Sequence, residues 1–205
     1  MMEKQELFIY GASGHGKVIV EIAERLSYSI IGLVDANPEI KNLLGYPVST
    51  SDDSAVNAFW IIGIGNNGIR KKISLAEVRP YISLIHPAAN LSKRTTIGEG
   101  TVVMAGVSIN ADVCVGKHCI INTNASVDHD CNIADYVHVS PNAALAGNVT
   151  VGEGTHIGIG ASIIQGLTIG RWCTIGAGAV IIQDVPDGAT VVGNPGRVIK
   201  VNQAE

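Results

Sequence analysis

His129 lies in the run Val127-Asp128-His129-Asp130-Cys131, flanked on both sides by a carboxylate. An imidazole is the side chain whose ordinary pKa suits it to take a proton from a nucleophile near neutral pH, and a positioned general base contributes about 10² to 10⁴ in rate. Gly147 follows eighteen residues later. A glycine N–H, with no side chain in the way, suits an oxygen that gains negative charge as an acyl carbon is attacked. Base and donor together are what acyl transfer by direct attack requires. No Ser-His-Asp or Cys-His set is apparent, which disfavours an acyl-enzyme route. Residues eighteen apart meet only if the chain returns on itself with that period.

It does. A six-residue cycle runs without a break from Ile85 to Val180, with sixteen turns. Its first positions, Ile85, Leu91, Ile97, Val103 and onward to Ile169 and Ile175, are aliphatic in every case, and its fifth positions are nearly all small. Such a period is the signature of a solenoid. Each hexad reads as one flat side of a triangular parallel β-helix, with the aliphatic inside and the small residue near the corner. Three hexads make a coil, so residues eighteen apart stack at strand spacing, roughly 4.8 Å. On this reading His129 and Gly147, both third in their hexads, are neighbours one coil apart. Glycines second or fourth in the cycle, as in Ile97-Gly98-Glu99-Gly100, supply turn conformations that a side chain would hinder.

Before the repeats, Leu7–Tyr10 reads as a strand, Gly11-Ala12-Ser13-Gly14-His15-Gly16 as a glycine turn, and Val18, Ile19, Ile22, Ala23 and Leu26 as the apolar face of a helix. A second strand, Ile30–Val34, ends in Asp35, about twenty residues after the turn, where a Rossmann-like unit presents a carboxylate to a ribose. A third, Trp60–Ile64, leads into Gly65-Asn66-Asn67-Gly68 and a basic helix carrying Arg70, Lys71 and Lys72. These predict three βα units in a parallel sheet. The spacing GxxGxG departs from the dinucleotide fingerprint, and half a dinucleotide fold suits one nucleotide, so a nucleotide-linked sugar fits better than NAD. A glycine turn that serves only packing is the alternative. The predicted organisation is an α/β Rossmann-like domain over 1–84, a β-helix over 85–192 and a tail over 193–205, the chain turning off the repeats at Asp184-Val185-Pro186-Asp187-Gly188.

Across 205 residues, 46% hydrophobic and 16% charged composition marks a globular chain. Aromatics are 4% against 24 glycines, so the core has to be built from small and branched aliphatics. A net charge of −4 gives no electrostatic reason to expect nucleic acid as a partner. The N-terminal run has no apolar signal region, and no stretch approaches the roughly 20 apolar residues that span a bilayer. A cytoplasmic protein without membrane insertion is expected. The four cysteines lack CxxC spacing, and three share the fifth repeat position; all four read as small buried hydrophobes.

Taken together, IYGASGHGKV, IIGLVDAN, IGIGNNGIRKK, SLIHPAA, VDHDC, HVSPNAALAGNV and VGNPGRV resemble the bacterial nucleotide-sugar and sialic-acid acetyltransferases of the hexapeptide-repeat superfamily. The branch they resemble most is that of the PglD-like UDP-4-amino-sugar N-acetyltransferases. The resemblance spans essentially the whole chain. It implies a left-handed β-helix, a homotrimer, and acetyl-CoA as co-substrate in a groove between adjacent β-helices; direct acyl transfer needs no metal, and none is expected. It implies His129 as base and Asp130 as its acidic partner, where a close relative carries the longer glutamate. Acetyl-CoA contacts fall on His138, Gly147, Ile159 and Ala177, the last a glycine in a relative. Sugar-nucleotide contacts fall on Ser13, Gly14, His15, Asp35, Gly65, Asn66 and Asn67. The implied reaction is acetylation of the 4-amine of a UDP-linked deoxy amino sugar. O-acetylation of a sialic acid, acylation of GDP-linked perosamine and a non-catalytic sugar-nucleotide-binding scaffold are the alternatives.

The other histidines divide. His86 and His118 have no stacked partner in the repeat and read as surface or turn residues. His138 and His156, eighteen apart, would form an imidazole ladder or serve a ligand, and His15 either contacts substrate or packs against the repeats. A zinc site built from His129, His138 and His156 is disfavoured, because no thiolate or carboxylate completes a tetrahedral set. Arg197 and Lys200 either pair with coenzyme A phosphates or are solvated tail charges.

Overall fold

The computed structural model describes residues 5–51, 58–76 and 78–202, so the outermost ends of the ranges 1–84 and 193–205 lie outside the described residues. The N-terminal part contains β1 (Glu6–Tyr10), α1 (Gly14–Arg25), β2 (Ser29–Val34), β3 (Asn42–Leu43), β4 (Tyr46–Ser49), β5 (Phe59–Ile62) and α2 (Asn67–Ala76). The sheet order is β3-β4-β2-β1-β5. β1 pairs in parallel with β2 and β5, and β2 in parallel with β4. The three expected strands are present, but among the described residues only β1 and β5 are followed by helices. Where the second of the three βα units was expected, after Ile30–Val34, the chain makes the antiparallel hairpin β3–β4 instead. Its turn places Leu44 at φ 51° and Gly45 at φ 92°. Leucine seldom adopts that conformation, so only half of the turn signal stood in the sequence.

From Leu84 the chain winds into a parallel β-helix whose strands are two residues long, the sixth and first of consecutive hexads. Three faces result: a first that starts at Leu84–Ile85, a second that starts at Asn90–Leu91 and a third that starts at Thr96–Ile97. Register advances by eighteen residues per coil, for example Ser126 beside Ala144 and His138 beside His156. The first and fifth residues fill one continuous core from Val103 to Val191. Cys119, Cys131 and Cys173 belong to it, each thiol facing a carbonyl of the next hexads. Cys114 does not: it occupies a sixth position, points outward and is exposed. Two threonines at fifth positions are buried without cost because each hydroxyl is satisfied twice. Thr155 Oγ1 donates to Gly170 O and accepts from Cys173 N, and Thr101 does the same with Gly116 and Cys119.

Two ends of the repeat depart from expectation. Ile85 is 36% exposed and Leu91 and Ile97 are only partly buried, because no coil lies beneath the first one. At the far end the cycle continues past Val180: Ile181 is buried, Val185 bridges to Ile169, and Val191 sits beside Ile175 in a coil shortened by two residues. Residues Arg197–Val201 then fold back antiparallel on Ala189–Val192. The α/β part packs on the first face, where Leu84, Val102, Met104 and Ile120 join Leu7, Ile19 and Ile22 in one cluster.

Candidate active site

The corner between the second and third faces carries the His129 group. Asp130 takes the left-handed conformation, φ 60°, that the fourth position of the cycle demands. That twist lets the short aspartate reach its neighbour: Asp130 Oδ2 lies 2.7 Å from His129 Nδ1. On the other side, Asp128 Oδ1 accepts from the His129 N–H at 2.8 Å and from Asn110 Nδ2 at 2.6 Å. The hydrogen bond to Asp130, helped by the charge of Asp128, raises the His129 pKa above its ordinary value. With Nδ1 held by Asp130, Nε2 is the nitrogen left to accept a proton.

One coil on, Gly147 lies against the ring. A Cβ built on it would stand 2.6 Å from His129 Cε1 and 2.7 Å from Nε2. No side chain fits there unless the ring moves, and the Gly147 N–H has no hydrogen-bond partner among the described residues. Beside this corner the second face carries a shallow groove floored by Ser108, Ser126, Ala144 and Ser162, with Asp128 at its rim.

A second cluster forms where α2 crosses the corner between the third and first faces. Arg70 is 1% exposed, yet all five of its N–H bonds find oxygens. Nε donates to His118 O at 2.6 Å, Nη1 to Ile64 O and Gly65 O, and Nη2 to Tyr136 O and Asn67 Oδ1. One guanidinium thereby ties the Gly65–Asn67 turn to two successive coils. Burial lowers the Arg70 pKa to about 10, still far above neutrality. The amide of Asn67 donates to Gly154 O and lies near Thr155 O, so this side chain, expected to contact sugar-nucleotide, faces the β-helix. Lys71 pairs with Glu153 and sits 5.3 Å from the Trp172 ring.

His118 is not a surface residue. It is 4% exposed, edge-on to Tyr81 and stacked on Tyr136 at 5.6 Å, and burial lowers its pKa to about 4. It is a turn residue, at φ 51°, as are Tyr136 at 61° and Trp172 at 53°. Rings at left-handed positions that favour Gly, Asn or Asp were the signal in the sequence that could have revealed this column; Arg70 carried none beyond its neighbours Lys71 and Lys72. His86 is a half-exposed turn residue whose Nδ1 accepts from Ala88 N.

On the first face His138 and His156 do form a ladder, with ring centroids 4.8 Å apart and planes within 1°. Burial lowers the pKa of His15 to about 4 and of His138 to about 3. Ser13 caps α1 without using its hydroxyl, and Ser13 and Gly14 are exposed. Asp35 Oδ2 accepts from Ala12 N at 2.7 Å, which fixes the glycine turn, and Oδ1 accepts from Asn37 N.

The structure therefore groups His129, Asp130 and Gly147 at one corner, and His15, Gly65, Asn67 and His138 at the junction. Ile159, 52% exposed, and Ala177 stand one coil apart at the corner between the first and second faces, away from His129. Arg197 is exposed on the last strand and, among the described residues, donates only to Gly196 O. Among the described residues no three His, Cys, Asp or Glu side chains are arranged to hold a metal ion.

Known proteins share this fold. The family described as the PglD N-terminal domain matches residues 6–75, and that of the bacterial transferase hexapeptide (six repeats) matches 148–183. A histidine-to-asparagine variant of perosamine N-acetyltransferase from Caulobacter crescentus, in complex with CoA and GDP-perosamine, is 37% identical over 98% of both chains, with a TM-score of 0.90. The chain belongs to the PglD-like hexapeptide acetyltransferases. The acetyltransferase domain of PglB from Neisseria gonorrhoeae, in complex with acetyl coenzyme A, is 38% identical over 96% of this chain and all of that one, with a TM-score of 0.87. UDP-N-acetylbacillosamine N-acetyltransferase of Bacillus subtilis is 42% identical over 111 residues, 47% of this chain; the match spans half of that enzyme's length. The solenoid is the left-handed β-helix of this family. No helix among the described residues is long and apolar enough to cross a membrane.

Proposed function

We propose that this PglD-like protein moves the acetyl group of acetyl-CoA to the 4-amine of a UDP-linked deoxy amino sugar. The observation that carries the reading is the imidazole of His129 seated over Gly147 with its Nδ1 against Asp130. His129 Nε2 takes a proton from the amine as its nitrogen attacks the thioester carbon. The Gly147 N–H steadies the oxygen as it becomes negative. The C–S bond breaks, the proton passes to the sulfur, and CoA thiol and amide leave.

Ser13, Gly14, His15, Asp35 and the Gly65–Asn67 turn would present the nucleotide. His138, Ile159, Ala177 and Arg197 would contact acetyl-CoA, whose narrow arm suits the small-residue groove on the second face. Because Ile159 and Ala177 stand on a different corner from His129, the complete site needs an adjacent copy, and a homotrimer supplies one.

A second reading, a GDP-linked 4-amino sugar, is favoured by the full-length match to the GDP-perosamine enzyme. Thiol release from acetyl-CoA, measured against UDP- and GDP-linked 4-amino sugars with sialic acid as hydroxyl control, separates them. Release with a UDP-linked amine is expected. Release on sialic acid alone would replace amine by hydroxyl as acceptor, and failure of CoA to bind at all would leave only a sugar-nucleotide scaffold.

A further inference from the structure

We propose that Asn122 is a positioning residue that holds His138 as the neutral Nδ1–H tautomer, so that this ring meets a ligand at the junction as a hydrogen-bond donor. The inference rests on the reading of the junction as a ligand site given above. Asn122 Nδ2 lies 3.0 Å from His138 Nε2. The orientation of that amide is fixed independently, because its Oδ1 accepts from Thr123 N at 2.8 Å; turning it over would set an NH₂ against an N–H. An amide nitrogen can only donate, so His138 Nε2 has to present its lone pair, and a neutral ring then carries its proton on Nδ1.

The surroundings keep the ring neutral. His138 lies parallel to His156, and the other basic groups turned toward it are the Arg70 guanidinium and His15. Among the described residues no carboxylate is hydrogen-bonded to the ring. Burial and these neighbours lower its pKa to about 3. One coil on, the arrangement is repeated: Ser140 Oγ lies 2.7 Å from His156 Nε2, the same sixteen residues earlier in the chain as Asn122 is to His138. The outcome is a buried Nδ1–H that faces the Gly65 backbone, which favours the protonated nitrogen, but that reaches full hydrogen-bond geometry with no atom of the described residues. A buried donor left in this way costs free energy that a ligand acceptor would recover.

Nitrogen NMR of the intact protein labelled in its histidines, with His138→Gln to assign the signals, reads the tautomer directly. At neutral pH a protonated Nδ1 and an unprotonated Nε2 are expected. Asn122→Asp replaces the donor by an acceptor and should move the proton to Nε2 or charge the ring; Asn122→Ala should release the preference. The Asp variant should weaken acetyl-CoA or UDP-amino-sugar binding about tenfold or more in calorimetry. A wild-type ring with its proton on Nε2, or an imidazolium, or a tautomer indifferent to both variants, would overturn the proposal and leave the ligand reading intact. The stated tautomer with an Nδ1 signal that responds to neither acetyl-CoA nor UDP-linked amino sugar would overturn donation to a ligand and the ligand reading with it.

Discussion

Gly147 lies so close to the imidazole of His129 that a Cβ there would stand 2.6 Å from the ring. The backbone at Gly147 is outside the left-handed region, so the residue is glycine for reasons of approach and not of conformation. Gly147→Ala should therefore fold with little change in melting temperature, while the displaced ring and donor lower kcat by about 10² to 10³. Melting and steady-state kinetics on the same preparation check this; unchanged kcat would remove Gly147 from the reaction.

His129→Ala should reduce turnover by about 10² to 10⁴ while acetyl-CoA still binds. Calorimetry beside the thiol assay distinguishes loss of the base from loss of the site.

Asp130→Asn keeps the shape and weakens the hydrogen bond to a carboxylate that, more than any other contact, raises the His129 pKa. The base works when neutral, so the acidic limb of kcat/KM against pH reflects its protonation. That limb should move to lower pH in the variant, and the plateau should fall by about an order of magnitude or more. A limb that stays in place would assign it to another group.

His118 is neutral and buried in the folded chain, with a pKa of about 4 against about 6.5 when unfolded. The unfolded chain binds the extra proton first, so folding stability is complete above pH ~6.5 and falls as pH drops from there toward about 4. His15 and His138 act in the same direction. Chemical denaturation at stepped pH should show this decline, and His118→Gln should flatten part of it.

Arg70→Met leaves five carbonyl-type oxygens without donors, three of them in the Gly65–Asn67 region and two on the β-helix. A loss of more than about 3 kcal/mol is expected from unsatisfied buried acceptors, with Arg70→Lys intermediate. Equal melting of all three proteins would contradict the arrangement.

The β-helix was legible because its core is one-dimensional: a single aliphatic and a single small residue per hexad define it, and both repeat. The pairing of His129 with Gly147 followed from the same period. The rest needed contacts that no period encodes. Leu44 hid a hairpin by standing where Asn, Asp or Gly is usual. The burial of His118 and the role of Arg70 arise only when α2 lies across the coils, and in the chain Arg70 looks like one more charge on a basic helix.

The grip of α2 also acts as a tally of coils. Arg70 reaches the carbonyls of His118 and Tyr136, and Asn67 that of Gly154, three corners at successive eighteen-residue intervals. An extra eighteen residues inserted beyond Trp172 would lengthen the rod and leave every one of these bonds in place. The same insertion between His118 and Gly154 would be equally acceptable to the β-helix but would carry one handhold out of reach. Length is thus free to change at the far end of this protein, whereas the stretch beneath α2 is fixed in its number of turns.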